Sequence, residues 1–263
     1  MTSDKRGALS VGLSILKKHG VRGFAGAAFD YATRPILMPW AIRSLRNASR
    51  KAQGVEGLVD LVMAFRYGNV SIAPMQIRQE ITALCQIVSA LKPANVLEIG
   101  TARGGTLFLF AQLANPAAHL VSVDLPLGRF GGGYPNYKAP LYRSFARDTQ
   151  RIDLIRADSH ASETIARVQA AFPTGVDFLF IDGDHSLAGV TQDFELYGRL
   201  VRPGGVIAFH DIVPGPGVGV GDVPRFWQEL KRSGRVRAEF LEFVEDWNQG
   251  GLGIGVLRDL RGF

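Results

Sequence analysis

The chain is 263 residues long, 46% hydrophobic and 21% charged, with a net charge of +6. That composition suits a soluble globular protein with one α/β domain of ordinary size and an extension. No apolar run reaches the roughly 18 residues a membrane helix needs, no signal-peptide pattern opens the chain, and the single cysteine, Cys85, excludes an internal disulfide and a cysteine-rich metal cluster.

The charge is uneven. Residues 1–51 hold ten Lys or Arg against two Asp, giving +8, which leaves −2 for the rest. A nearly neutral main domain argues against nucleic acid as its substrate. The basic arm reads as a solvated face, or as a contact with something anionic such as a membrane face. A cytoplasmic protein, with or without peripheral membrane contact, is the expected setting.

In chain order, apolar spacing predicts helices over 6–20 and 22–33, and Pro35 and Pro39 interrupt the pattern. A basic amphipathic helix is expected over 40–52 and a short one over 55–66. Residues 75–91 repeat Ile77, Ile81, Leu84, Ile87, Val88 and Leu91 at helical spacing, and Pro93 ends the run. The buried side of that helix is the expected place for Cys85. Residues 1–74 thus read as a helical extension and 75–263 as the main domain.

Beyond Pro93 short apolar runs alternate with helical stretches. The runs are 95–99, 120–123, 152–155, 176–181 and 205–209; the helices are near 104–114, 140–148, 160–171 and 186–200. This alternation predicts a mostly parallel, Rossmann-like sheet covered by helices on both faces. Runs at 236–243 and 252–257 add edge strands, for seven in all. Trp227 and Trp247 read as core residues. The Gly- and Pro-rich loops 126–137 and 212–222 follow strands, where open α/β sheets bind ligands. The first reads as a lid and the second as the opposite wall.

Polar residues gather at those strand ends. The first strand runs into Glu98-Ile99-Gly100-Thr101-Ala102-Arg103-Gly104-Gly105-Thr106, a tight glycine turn that opens a helix. The second ends at Asp124-Leu125, where an acid can accept both hydroxyl hydrogens of a ribose. The third ends at Asp158-Ser159, the fourth at Asp182-Gly183-Asp184-His185-Ser186, and the fifth at His210-Asp211 after Leu200-Val201-Arg202-Pro203-Gly204-Gly205. His185 and His210 each adjoin an aspartate on the expected cleft rim, whereas His19, His119 and His160 lack such a setting.

Taken together, these motifs resemble the class I S-adenosylmethionine-dependent methyltransferases over residues 75–260, and Asp182–Ser186 resembles a bacterial O-methyltransferase subgroup and a cephalosporin-hydroxylase-like branch. The resemblance implies S-adenosylmethionine as cofactor, held by Glu98, Gly100, Thr101, Gly104, Thr106, Asp124, Leu125, Asp158, Ser159 and Asp182. It implies a divalent metal (Mg, Mn or Fe) at Asp182, His210 and Asp211, although His-Asp stands where related enzymes carry Asp-Asp or Asp-Asn. Catalytic roles fall to Asp182, His185 and His210, with His185 the favoured general base. The expected reaction is O-methylation of a small-molecule hydroxyl, such as a sugar or natural product. A metal-dependent hydroxylase and a non-catalytic membrane-surface or scaffold protein stand as alternatives, and a homo-oligomer is open.

Overall fold

A computed structural model describes residues 36–128, 130, 133–216 and 219–261. The helices expected over 6–20 and 22–33 lie outside the described residues. Helix α1 covers residues 36–49 and α2 Gly54–Ala64. A small hairpin that the sequence did not announce follows, β1 (Arg66–Tyr67) with β2 (Val70–Ser71). Its two-residue strands are too short to show an apolar period. Helix α3 runs Arg78–Leu91 and buries Cys85 among Ile81, Leu84 and Val88.

The parallel strands are β3 (Asn95–Ile99), β4 (His119–Val123), β5 (Arg151–Ile155), β6 (Val176–Ile181) and β7 (Val201–His210). Helices α4 (Gly105–Leu113), α5 (Ala139–Arg143), α6 (Ser162–Ala171) and α7 (Leu187–Tyr197) connect them. Two antiparallel strands, β8 (Glu239–Phe243) and β9 (Ile254–Arg258), complete a seven-stranded sheet of order β5-β4-β3-β6-β7-β9-β8. The expected fold is thus the observed one.

Three details differ. Strand β7 begins at Val201, four residues before the expected run, because the Arg-Pro-Gly-Gly stretch continues the strand with a register shift against β6. Helix α5 stops at Arg143, where the Ser144 hydroxyl turns back and donates to the Leu141 carbonyl. An unforeseen helix, α8 (Val223–Ser233), buries Val223, Phe226, Trp227 and Leu230 at helical spacing. That signal stood in the sequence, beside a strongly charged opposite face. Trp247 is no core residue; it is 48% exposed, while Trp227 is fully buried and its indole N–H donates to Glu242.

Two apolar cores flank the sheet. One joins α3, α4 and α5 to Met38, Ala41 and Leu45 of α1 and Val59 and Val62 of α2. The other packs α6, α7 and α8 on the opposite face. The described part of the N-terminal helices therefore shares a core with the sheet.

The antiparallel edge is tied to α3 by a buried carboxylate. Glu80, in the first turn of α3, accepts the backbone N–H of Gly253 at 2.9 Å, that of Glu245 at 3.2 Å and the Gln249 side-chain amide at 2.8 Å. A carboxylate near a helix N-terminus also gains from the dipole. Glu80→Ala strands a buried N–H and should cost about 2 kcal/mol. Thermal melting should fall by roughly 4–8 °C; an unchanged midpoint would refute this role.

Candidate active site

The chain enters the sheet at its centre. It runs outward through β4 and β5, then crosses back to β6 and β7. The carboxyl ends of β3 and β6 therefore border a topological switch point, where helices leave in opposite directions and a crevice opens. Backbone hydrogen bonds just past the strands hold the crevice walls. The Gly100 N–H donates to the Val123 carbonyl at 2.8 Å, that of Asp182 to Ile99 at 2.8 Å, and that of Asp124 to Ile155 at 2.9 Å.

A cavity of about 260 Å³ lies there. Gly100, Asp124, Leu125, Asp158, Ser159, Asp182 and His185 all line it, as do Phe130 of the expected lid and Met75 and His160, which sequence reasoning did not place there. Four expected cofactor residues do not line it, nor do the expected metal residues His210 and Asp211. Glu98 is fully buried beneath the turn and accepts the hydroxyls of Thr106 at 2.6 Å and Ser122 at 2.9 Å. Thr101 is buried and pairs its hydroxyl with Ser122. Gly104 takes φ 85° with its α-carbon against the Tyr142 ring, and the Tyr142 hydroxyl donates to the Ala102 carbonyl at 2.9 Å. These residues shape the turn from below instead of facing the cavity. Burial raises the Glu98 carboxyl to about 8, against the opposing effect of its two hydroxyl donors. It is therefore largely neutral at pH 7, which suits a structural post.

Gly100 allows no side chain. Its φ is 94°, and an added β-carbon would overlap the Asp182 carbonyl. Asp124 accepts the Ala102 N–H at 3.0 Å and a backbone N–H from Tyr134. Burial raises its carboxyl to about 6. Across the cavity Asp158 accepts the backbone N–H of His160 at 2.9 Å. The His160 ring meets the fully buried Asp193 at 3.1 Å, so this histidine does have an acidic partner.

At the other end the half-buried Asp182 and the buried His185 line the cavity and form one cluster with the buried His210 and Asp211 behind them. His185 Nε2 stands 3.3 Å from Asp182 Oδ1, and its Nδ1 stands 3.2 Å from Asp211 Oδ2. That Nδ1 also meets the Gly219 carbonyl. The second glycine loop thus forms a wall behind the histidine, and an added β-carbon on Gly221 would collide with the His185 backbone. His210 Nδ1 lies 3.2 Å from Asp182 Oδ1 and 3.5 Å from Asp211 Oδ2. Asp211 holds φ 61°, a left-handed conformation that aspartate tolerates, and accepts the Leu252 N–H at 3.1 Å. Phe130 of the first glycine loop stacks on His185, ring centres 5.0 Å apart.

The cluster bears on two expectations. A group whose ligand atoms lie within 4.8 Å of one another is Asp182, His185 and Asp211, and the expected His210 adjoins the same two carboxylates. The protonation states also differ. The carboxylates overcome burial and raise His185 to about 9 and His210 to about 10, while the two histidines hold Asp182 well below its ordinary range. An imidazolium has no lone pair for a proton, so His185 in this arrangement is not a ready base at pH 7. Gln76, just ahead of α3, is a further member: its amide donates to Asp182 Oδ2 at 3.0 Å. No motif marks it, for it lies 106 residues from its partner.

Comparisons with known proteins agree with this geometry. Residues 97–212 match the family model described as a methyltransferase domain. An uncharacterized protein R132 of Acanthamoeba polyphaga mimivirus is 36% identical over 115 residues, 44% of this chain; the chain spans about half the length of that curated relative. Among solved structures, an O-methyltransferase from Bacillus cereus in complex with S-adenosylhomocysteine superposes with a TM-score of 0.52 at 21% identity, covering 78% of this chain and 90% of that one. A putative caffeoyl-CoA O-methyltransferase from Staphylococcus aureus gives 0.53 at 18% identity, covering 82% and 98%. These likenesses show the fold. The family match assigns a methyltransferase domain to residues 97–212.

Gly100→Ala should drive its β-carbon into the Asp182 carbonyl and part the turn from the cluster. Calorimetry with S-adenosylhomocysteine should show affinity reduced at least a hundredfold; near-wild-type affinity would disprove the close approach.

Proposed function

We propose that this domain methylates a hydroxyl oxygen of a small molecule, with a divalent ion at Asp182, His185 and Asp211. The observation that carries the reading is the cavity itself. It joins a glycine turn and a ribose-type acid, Asp124, at one end to a buried carboxylate–imidazole cluster at the other. S-adenosylmethionine supplies an electrophilic methyl group on a sulfonium. On this reading the Gly100 turn gives its backbone close access, Asp124 accepts the ribose hydroxyls, and Asp158 and Ser159 border the adenine. The acceptor enters from the side of Met75, Phe130 and His185. Alignment of acceptor and methyl by these walls supplies much of the rate.

The donor set fits a cation. Asp182 and Asp211 place two carboxylates around one histidine, and that buried negative charge requires compensation. Without metal, imidazolium protons provide it. A divalent ion there would replace the His185 proton and lower the pKa of an acceptor hydroxyl. One imidazole with two carboxylates suits magnesium, manganese or iron(II). An iron hydroxylase would ask for two histidines and a carboxylate on one ion; the grouped ligand atoms carry one histidine, with His210 Nδ1 3.2 Å from Asp182 as the second candidate.

Two outcomes are expected. Below pH about 6 Asp124 takes up a proton and loses acceptor capacity. Affinity for S-adenosylhomocysteine should therefore be constant above that pH and fall as pH drops through it, whereas Asp124→Asn should be weaker and flat; parallel profiles would remove Asp124 from the ribose. Manganese titration should show one site that releases protons on binding and is lost in Asp182→Asn and Asp211→Asn. Chelator should then slow transfer to a catechol or sugar acceptor panel at least tenfold without changing S-adenosylhomocysteine affinity. Full activity in chelator would rule out the metal.

A further inference from the structure

Helix α1 offers a face that no other part of the described structure covers. Ile36, Trp40, Arg43, Arg46 and Arg50 are all exposed, with Ile36 at 70% and Trp40 at 57%. At about 100° per residue they fall within one arc of about 120°. The opposite side carries Met38, Ala41 and Leu45, which are buried in the core. The helix is therefore fixed in rotation, and its outer face is set by packing.

The composition of that face is specific. Its three arginines have no acidic partner among the described residues, and no Asp or Glu occurs between Asp30 and Glu56. Two of the arginines, Arg46 and Arg50, are one turn apart, a spacing that like charges disfavour without an anion nearby. They also border a cleft of about 140 Å³ shared with Gln112, Ser144 and Arg147. Some exposed arginines elsewhere, such as Arg78 beside Asp60 and Arg225 beside Glu229, do sit with an acid. Here the counter-charge is missing and two large apolar side chains stand beside it.

We propose that this face of α1 docks on an anionic lipid surface. Trp40 and Ile36 enter the boundary between headgroups and acyl chains, where an indole is favoured. Arg43, Arg46 and Arg50 pair with headgroup phosphates, and the adjoining cleft seats one of them. Charge complementarity selects a bilayer over a second copy of this chain, which would bring the same three arginines face to face.

The test is flotation of the full chain with vesicles of phosphatidylcholine alone, or with about a third phosphatidylglycerol. The chain should float with the anionic vesicles only, and about 0.5 M salt should release it. The triple variant Arg43→Gln, Arg46→Gln, Arg50→Gln should bind roughly a hundredfold more weakly. Trp40→Ser should weaken binding about tenfold, while Trp40→Phe retains most of it. S-adenosylhomocysteine affinity should be unchanged in every variant, because none borders the active cavity. Failure to float, equal flotation with neutral vesicles, or anionic binding that the triple variant preserves would each overturn the proposal. So would self-association through this face that Trp40→Ser abolishes.

Discussion

The close approach of Gly100 to the Asp182 carbonyl governs the working end of this domain. Strands β3 and β6 lie side by side, and past their ends the chain must turn away in two directions without separating. A bare α-carbon at φ 94° permits that contact. The same turn brings the Ala102 N–H to Asp124, and the residue it touches is the first ligand of the acidic cluster. Cofactor-side turn and reaction-side cluster are thus joined through one point of backbone contact.

Charge is arranged in two ways around that point. Glu98, below the turn, is buried with hydroxyl donors alone, and its carboxyl is raised toward the neutral form. Asp182, only a strand away, is partly buried beside two histidines, which hold its carboxyl below the ordinary range. Burial penalises both; the cationic neighbours decide the difference. This contrast separates a carboxyl that supports a loop from one that can face a metal or a substrate. The same carboxylates raise both histidines above the ordinary imidazole range.

Much of this was readable along the chain. The five parallel strands announced themselves by alternation with helices, and an acid or a His-Asp pair closed four of them where the crevice opens. Asp124, Asp158 and Asp182 were legible because each belongs to a local strand–loop unit with its own pattern. Helix α8 was readable in principle, since Phe226, Trp227 and Leu230 keep helical spacing, but its charged outer face obscured them. Gln76 and Glu80 carried no comparable sign. Their roles depend on partners more than 100 residues away.

The sequence by itself determined the fold class, the order of the strands' polar ends and the unbalanced charge of the N-terminal region, because these follow from local period and composition. Tertiary structure decided which polar residues face the cavity and which prop it from beneath. It gathered ligand atoms of Asp182, His185 and Asp211 within 4.8 Å of one another and set His210 beside the same two carboxylates. It also turned Trp40 and three arginines to one exposed face by burying Leu45 and Ala41. Side-chain direction and protonation arise from packing and from charges brought close in space, and neither is encoded by spacing along the chain.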